Sequence, residues 1–135
     1  MKLLVDVNVV LDVLLAREPW AAEAAALLTA IERGRAEGYL AGHTVTTVHY
    51  IVSRNRDRRS AARAVTDLLR IFEIVPVDKA DLAQALVLPV RDFEDAVQAA
   101  CALRIGADAI VTRNERDFKG VGVAASRAGA LLARL

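Results

Sequence analysis

Residues 92–118, DFEDAVQAACALRIGADAIVTRNERDF, carry the reading that decides the fold. Asp92 and Asp95 stand three residues apart ahead of an alanine-rich run, the pattern of an acid-capped helix start. Gly106 supplies a helix stop, and DAIVT after it is short and apolar, the mark of a buried strand. The loop segment TRNERDF then brings a further acid, Asp117. A helix delivering the chain to a short apolar strand is the repeating unit of parallel sheets.

The same alternation continues outward in both directions. Leu3 to Val5 reads as a buried strand, followed by a helix from about Val9 to Ala16. AAEAAALLTAIER lies in a helix between Trp20 and Arg33 that stops at Gly34. GYLAG at 38–42 is a second strand, and Thr44 offers a cap for a helix through VTTVHYIVSR. A helix over Asp57 to Arg70, the strand-like FEIVPV at 72–77 and a helix from near Lys79 to Pro89 follow. VGVA at 121–124 gives a fifth strand to test, and a last helix covers roughly 126–134. These elements predict an α/β fold: one domain over residues 1–135, a three-layer α/β/α sandwich with a parallel sheet of four or five strands.

Composition narrows the function. Eighteen Lys+Arg against 17 Asp+Glu leave a net charge of +1, which excludes a dominant polybasic tail or an acidic disordered segment. With 4% aromatic residues, a module that binds single strands by base stacking is disfavoured. One cysteine, Cys101, rules out an intrachain disulfide and a cysteine zinc cluster. No apolar run approaches the roughly 18 residues of a membrane span, so a cytoplasmic protein without membrane contact is expected.

Three acids sit where ligands bind in open parallel sheets, beyond the carboxyl ends of strands. Asp6 follows the first strand directly, Asp117 lies a short loop beyond AIVT, and Asp95 occupies the first turn of the preceding helix. Hard divalent cations take oxygen ligands, so the set suits Mg²⁺ or Mn²⁺. Each acid also has an ordinary use as a turn or cap residue, and it is their combination that points to chemistry.

DVNVVLDVLL at the start, DFEDAVQAACALRIGADAIVTRNERDF and the closing VGVAASRAGALL resemble the PIN-domain ribonucleases, including VapC-type toxins of toxin–antitoxin pairs. The resemblance spans nearly the whole chain and is weakest through 20–88. By position it implies that Asp6, Asp95 and Asp117 hold a divalent metal and carry catalysis, with Asn8, Thr112 and Asn114 as supporting polar residues. It also implies an RNA substrate, a small antitoxin partner and a homodimer. The family's remaining acid sits on the helix after the second strand in a T-x-x-E-like setting, where TVTTVHYIV has His49. An imidazole there would favour Mn²⁺ over Mg²⁺, while the alternative is a histidine bordering the apolar face of Val45, Val48 and Val52. Asp92 either replaces the missing acid from the face it shares with Asp95 or caps the helix. Asp12 either supports the site or pairs with a basic neighbour.

Residues 53–70 hold six arginines against two aspartates. Arg54, Arg56, Arg58 and Arg59 either steer an RNA backbone toward the acids or form a solvated face. The function expected is therefore a metal-dependent endoribonuclease. Its rival is a PIN-fold module that binds RNA or protein with weak or no catalysis. A haloacid-dehalogenase-type phosphatase is disfavoured because Asn8 stands where that pattern has a second aspartate.

Overall fold

In the computed structural model, which describes residues 1–135, β1 (Lys2–Val5) lies at the centre of the sheet. It pairs in parallel with β2 (Glu37–Ala41) on one side and β4 (Ala109–Val111) on the other. β3 (Glu73–Val75) extends the sheet beyond β2, and β5 (Ala124–Ser126) beyond β4. All pairs are parallel and the order is β3-β2-β1-β4-β5. The expected parallel sheet is present with five strands.

Strand periodicity splits the core into two layers. Leu3, Val5, Leu40, Ala109 and Val111 enter one buried cluster, together with residues of α1 (Val7–Leu14), α2 (Ala21–Glu32), α3 (Gly42–Asn55), α4 (Arg58–Ile71) and α7 (Ala128–Leu132). Leu4, Ala41, Val75 and Ile110 enter the other, against α5 (Lys79–Val87) and α6 (Phe93–Ile105). Apolar contact on both faces is the reason the strands read as unbroken apolar runs rather than alternating ones. Leu3, Leu27 and Leu40 are fully buried, and truncating any one to alanine would cost about 2–5 kcal/mol. Gly38 in β2 is a packing requirement: a Cβ there would lie 2.6 Å from Ile31 Cγ2 and 2.9 Å from the Phe72 ring.

The helix ends follow local chemistry. Asp57 accepts a hydrogen bond from Ser60 N and starts α4, Asp78 and Asp81 form a reciprocal capping box on α5, and Asp92 Oδ1 accepts from Asp95 N at 3.0 Å to start α6. Gly106, at φ +66°, ends α6 in the left-handed conformation that glycine adopts without penalty. Three boundaries differ from expectation. α1 begins at Val7, immediately after Asp6, so that Asp6 occupies its N-cap. Thr44 does not cap α3; Ala41 stands at the N-cap and Thr44 is buried within the first turn. β5 is Ala124–Ser126 instead of 121–124, because Val121 is drawn into the α6-side core between Gly120 and Gly122, both at positive φ.

β1 is the point at which strand order reverses: the chain passes from β1 outward to β2 and β3, then returns to β4 on the other side. A crevice therefore opens beyond the carboxyl ends of β1 and β4.

Candidate active site

Asp6, the first residue after β1, is 2% exposed, and both of its carboxylate oxygens are engaged. Thr112, the first residue after β4, donates its hydroxyl to Oδ2 at 2.9 Å. Gln98 Nε2 donates to Oδ1 at 3.0 Å from α6. The same Gln98 nitrogen lies 3.3 Å from Asp95 Oδ1, one turn earlier on that helix, and so joins the two carboxylates through one amide. Thr44 Oγ1 approaches Gln98 Oε1 at 3.5 Å, tying α3 to the cluster. Gln98 and Thr44 are each 1% exposed. Residues following β4 and on α6 thus bond Asp6 directly, and α3 joins them through Gln98.

Asp95 is half-buried, and its carboxyl is pushed up to about 7. Burial is the largest cause, followed by repulsion from Asp6, Asp92, Asp117 and Glu94. Asp117 lies on a 3-10 turn, Glu115–Phe118, pinned by the buried Phe118 while the Asp117 side chain itself is exposed. An open cleft of about 470 Å³ is lined by Pro89, Arg91, Asp92, Asp95, Arg116 and Asp117. A second, of about 450 Å³, shares Arg116 and Asp117 and adds Arg113, Asn114, Glu115 and Arg127. Neither has an apolar side chain in its lining other than Pro89, so both suit a charged, hydrated ligand.

The donor chemistry fits a divalent cation: hard carboxylate oxygens on a site whose like charges raise Asp95, a repulsion that a cation relieves. No three His, Cys, Asp or Glu side chains stand close enough together, as they are, to hold a metal ion. Asp6 is held at both oxygens, whereas Asp117 is exposed.

The supporting residues fall into two groups. Thr112 Oγ1 also accepts from Asn114 N at 3.0 Å, so one hydroxyl links Asp6 to the loop that carries Asp117. Asn114 accepts from Asp117 N through its carbonyl, and its side chain is exposed along the second cleft. Asn8 turns away from the acids toward Arg17, whose Nη2 lies 3.5 Å from Asn8 Oδ1. Asp12 is completely buried between two guanidiniums, with Arg113 Nε at 3.0 Å and Arg17 Nε at 3.1 Å. Neither contact is aligned as a hydrogen bond, so the attraction is chiefly coulombic. Burial pushes the Asp12 carboxyl up, and the two arginines draw it back. The Arg113 guanidinium also lies 3.8 Å above the Trp20 ring. Asp12 therefore pairs with basic neighbours, one of which belongs to the loop of the site.

Two sets of candidates from the sequence lie apart from the three acids. His49 is exposed and lies five residues beyond Thr44, about 140° around α3; the α3 side chains that reach α6 beside the acids are Thr44, 3.5 Å from Gln98 Oε1, and His43, whose Nε2 lies 3.1 Å from the Glu94 carbonyl oxygen. Arg54 stands about 15 Å along the α3 axis from Thr44 and holds the Tyr50 hydroxyl. Arg56 lines a separate cleft, with Ser60 and Arg63, while Arg58 and Arg59 open α4. The arginines beside the acids are Arg91, Arg116, Arg113 and Arg127, which the sequence reading did not select. Gln98 and Thr44 were likewise missed. The signal for Gln98 was present, since it is the one polar residue in AVQAACA and stands three after Asp95.

The β3-β2-β1-β4-β5 parallel sheet with acids at its switch point can now be set beside known proteins. The PIN-domain family model matches residues 2–116, and the chain belongs to that family. Among curated proteins it is 27% identical over 125 residues to Ribonuclease VapC1 of Aquifex aeolicus, covering 87% of this chain and 83% of that one. Among solved structures it resembles VapC20 of Mycobacterium tuberculosis, described as a Sarcin-Ricin loop cleaving toxin. That match has a TM-score of 0.75 and 19% identity over 93% of this chain and 98% of the other. DNA-bound VapBC from Salmonella typhimurium matches with a TM-score of 0.73 and 15% identity, over 95% and 98% of the two chains.

Proposed function

We propose that the protein is a metal-dependent endoribonuclease that hydrolyses RNA phosphodiester bonds and serves as the toxin of a toxin–antitoxin pair. The observation that carries this reading is the Asp6–Gln98–Asp95 linkage at the sheet's switch point, with Asp117 facing the same cleft as Asp95. Membership of the PIN family and similarity to a protein named as a ribonuclease support it. Asp6, Asp95 and Asp117 are the residues assigned to a Mg²⁺ or Mn²⁺ ion. Bound there, such an ion supplies electrostatic stabilisation to a phosphoryl group under attack and acidifies water. Thr112 and Gln98 orient Asp6, Asn114 and Asp117 border the substrate cleft, and Arg91 and Arg116 present guanidiniums to the phosphate backbone. Cys101 is buried with its thiol pushed up to about 11, so it is protonated at neutral pH and no thiolate competes as a nucleophile.

A small antitoxin is the proposed protein partner, in line with the likeness of this fold to a chain of DNA-bound VapBC. A homodimer is the proposed assembly, to be read by light scattering. No helix is long and apolar enough to cross a membrane, and we place the protein in the cytoplasm.

The test is cleavage of a mixed RNA pool with Mg²⁺, Mn²⁺ or EDTA, beside Asp6→Asn and Asp117→Asn. Metal-dependent cutting lost in both folded variants is expected. Cutting that persists in both, with unchanged metal dependence, overturns the assignment. RNA or protein binding without turnover would instead support the rival reading, a PIN-fold binding module.

A further inference from the structure

We propose that Gln98, oriented by Thr44, is a positioning residue that holds Asp6 and Asp95 ready for a divalent cation. The inference rests on the metal-dependent reading above and deepens it. Gln98 is 1% exposed in the middle of an otherwise apolar stretch of α6, where an unpaired amide would be costly. Its partners account for it. The amide nitrogen donates to a carboxylate oxygen of Asp6 and lies beside one of Asp95, which leaves the amide oxygen to accept from the Thr44 hydroxyl. The observed distances follow that order: 3.0 Å to Asp6 Oδ1, 3.3 Å to Asp95 Oδ1 and 3.5 Å from Thr44 Oγ1.

A neutral donor with two N–H groups between two acids does what a fourth acid cannot. It holds both carboxylates in one orientation before any cation arrives and adds no negative charge to a site already crowded with it. Thr44, the α3 side chain facing Gln98 Oε1, carries no charge either. The crevice thus keeps three carboxylates and fixes two of them by an amide. Gln98 acts on the cation through Asp6 and Asp95 rather than by touching it, and outer partners of metal-binding carboxylates typically alter metal affinity 10–100-fold when removed.

The experiment measures Mn²⁺ binding by titration calorimetry, and thermal unfolding with and without Mn²⁺, on the full chain in the absence of RNA. Gln98→Leu is expected to bind Mn²⁺ about 10–100-fold more weakly than the wild type. Gln98→Glu has nearly the same volume but places a fourth carboxylate against Asp6 and Asp95. It is expected to unfold at lower temperature without metal and to gain more from Mn²⁺ than the wild type does. Equal Mn²⁺ affinity in folded Gln98→Leu, or an equal Mn²⁺-induced rise for Gln98→Glu and wild type, overturns the proposal and leaves the nuclease reading standing. If Gln98→Leu does not fold, the Gln98→Glu comparison decides. Wild-type protein that binds no divalent cation overturns both readings.

Discussion

The Thr112 hydroxyl stands between Asp6 and Asn114, donating to Asp6 Oδ2 at 2.9 Å and accepting from Asn114 N at 3.0 Å. A single oxygen thereby connects the end of β1 to the loop bearing Asp117. Thr112→Val keeps the shape and removes both bonds, leaving a buried carboxylate oxygen short of a donor. Cleavage is expected to fall at least 10-fold, with Thr112→Ser restoring most of it; steady-state kinetics on the two variants checks this. Valine at wild-type activity would show that the loop is held by other means.

Asp12 is the anchor of the same loop from behind. Its replacement by Asn removes the buried charge facing Arg17 and Arg113, and both arginines retain access to water. The expected cost is therefore below that of a fully buried pair, about 2–3 kcal/mol. Trp20 is the chain's one tryptophan and lies under Arg113, so its emission reports the loop directly. Asp12→Asn and Arg113→Gln should both shift that emission; an unchanged spectrum in both would refute the coupling.

Acid sensitivity should concentrate at Asp81, buried on α5. Arg104 on α6 binds it in a two-pronged contact, Nε to Oδ1 at 2.8 Å and Nη2 to Oδ2 at 2.9 Å. The Arg104 hydrogen bonds hold the Asp81 carboxyl below its ordinary range, against the opposing effect of burial. A carboxyl depressed in the folded state contributes stability that is fully present above its unfolded pKa, about 3.9, and lost as pH falls through the folded value. Asp81→Asn should cost about 2 kcal/mol at pH 7 and show a smaller loss on acidification, so that the two proteins converge at low pH. Thermal unfolding between pH 7 and pH 2 measures this, and parallel curves would refute it.

RNA affinity should depend on the arginines beside the acids. Arg91 and Arg116 flank Asp95 and Asp117, while Arg33 lies at the end of α2, where the chain approaches the amino-terminal end of β2, opposite the crevice. In EDTA, where no cutting occurs, Arg91→Gln and Arg116→Gln should each reduce the slope of log affinity against log salt by about 0.7, the value for one single-strand phosphate contact. Arg33→Gln should leave the slope unchanged. Fluorescence anisotropy over a salt series gives all four slopes, and equal slopes for all would place the backbone elsewhere.

The amino-acid sequence by itself determined the order of elements and the chemical character of the crevice. Short apolar runs such as Leu3–Val5 and Ala109–Val111 can only be strands buried on both faces, and the helices between them require parallel pairing. Asp92 and Gly106 bracket α6 by local hydrogen bonding and backbone conformation, which need no distant partner. That Asp6, Asp95 and Asp117 would be neighbours could be read in advance because acids after strands and at helix starts lie at fixed places in such a sheet.

Only tertiary structure decided which neutral groups serve those acids. Gln98 is 92 residues from Asp6 and Thr44 is 54 from Gln98, so nothing local marks their contacts. Thr44 has the residue type of a helix cap, yet burial against α6 gives its hydroxyl a different partner. His49 follows the motif spacing but not the helical rotation, which turns it to solvent. The charge run of residues 53–70 was conspicuous in sequence, whereas Arg91, Arg116 and Arg127 are scattered singly and meet around Asp117 only when β4, α6 and β5 are side by side. Local propensity fixes elements through neighbours a few residues away, but a site at a switch point is assembled from chain ends that the sheet brings together.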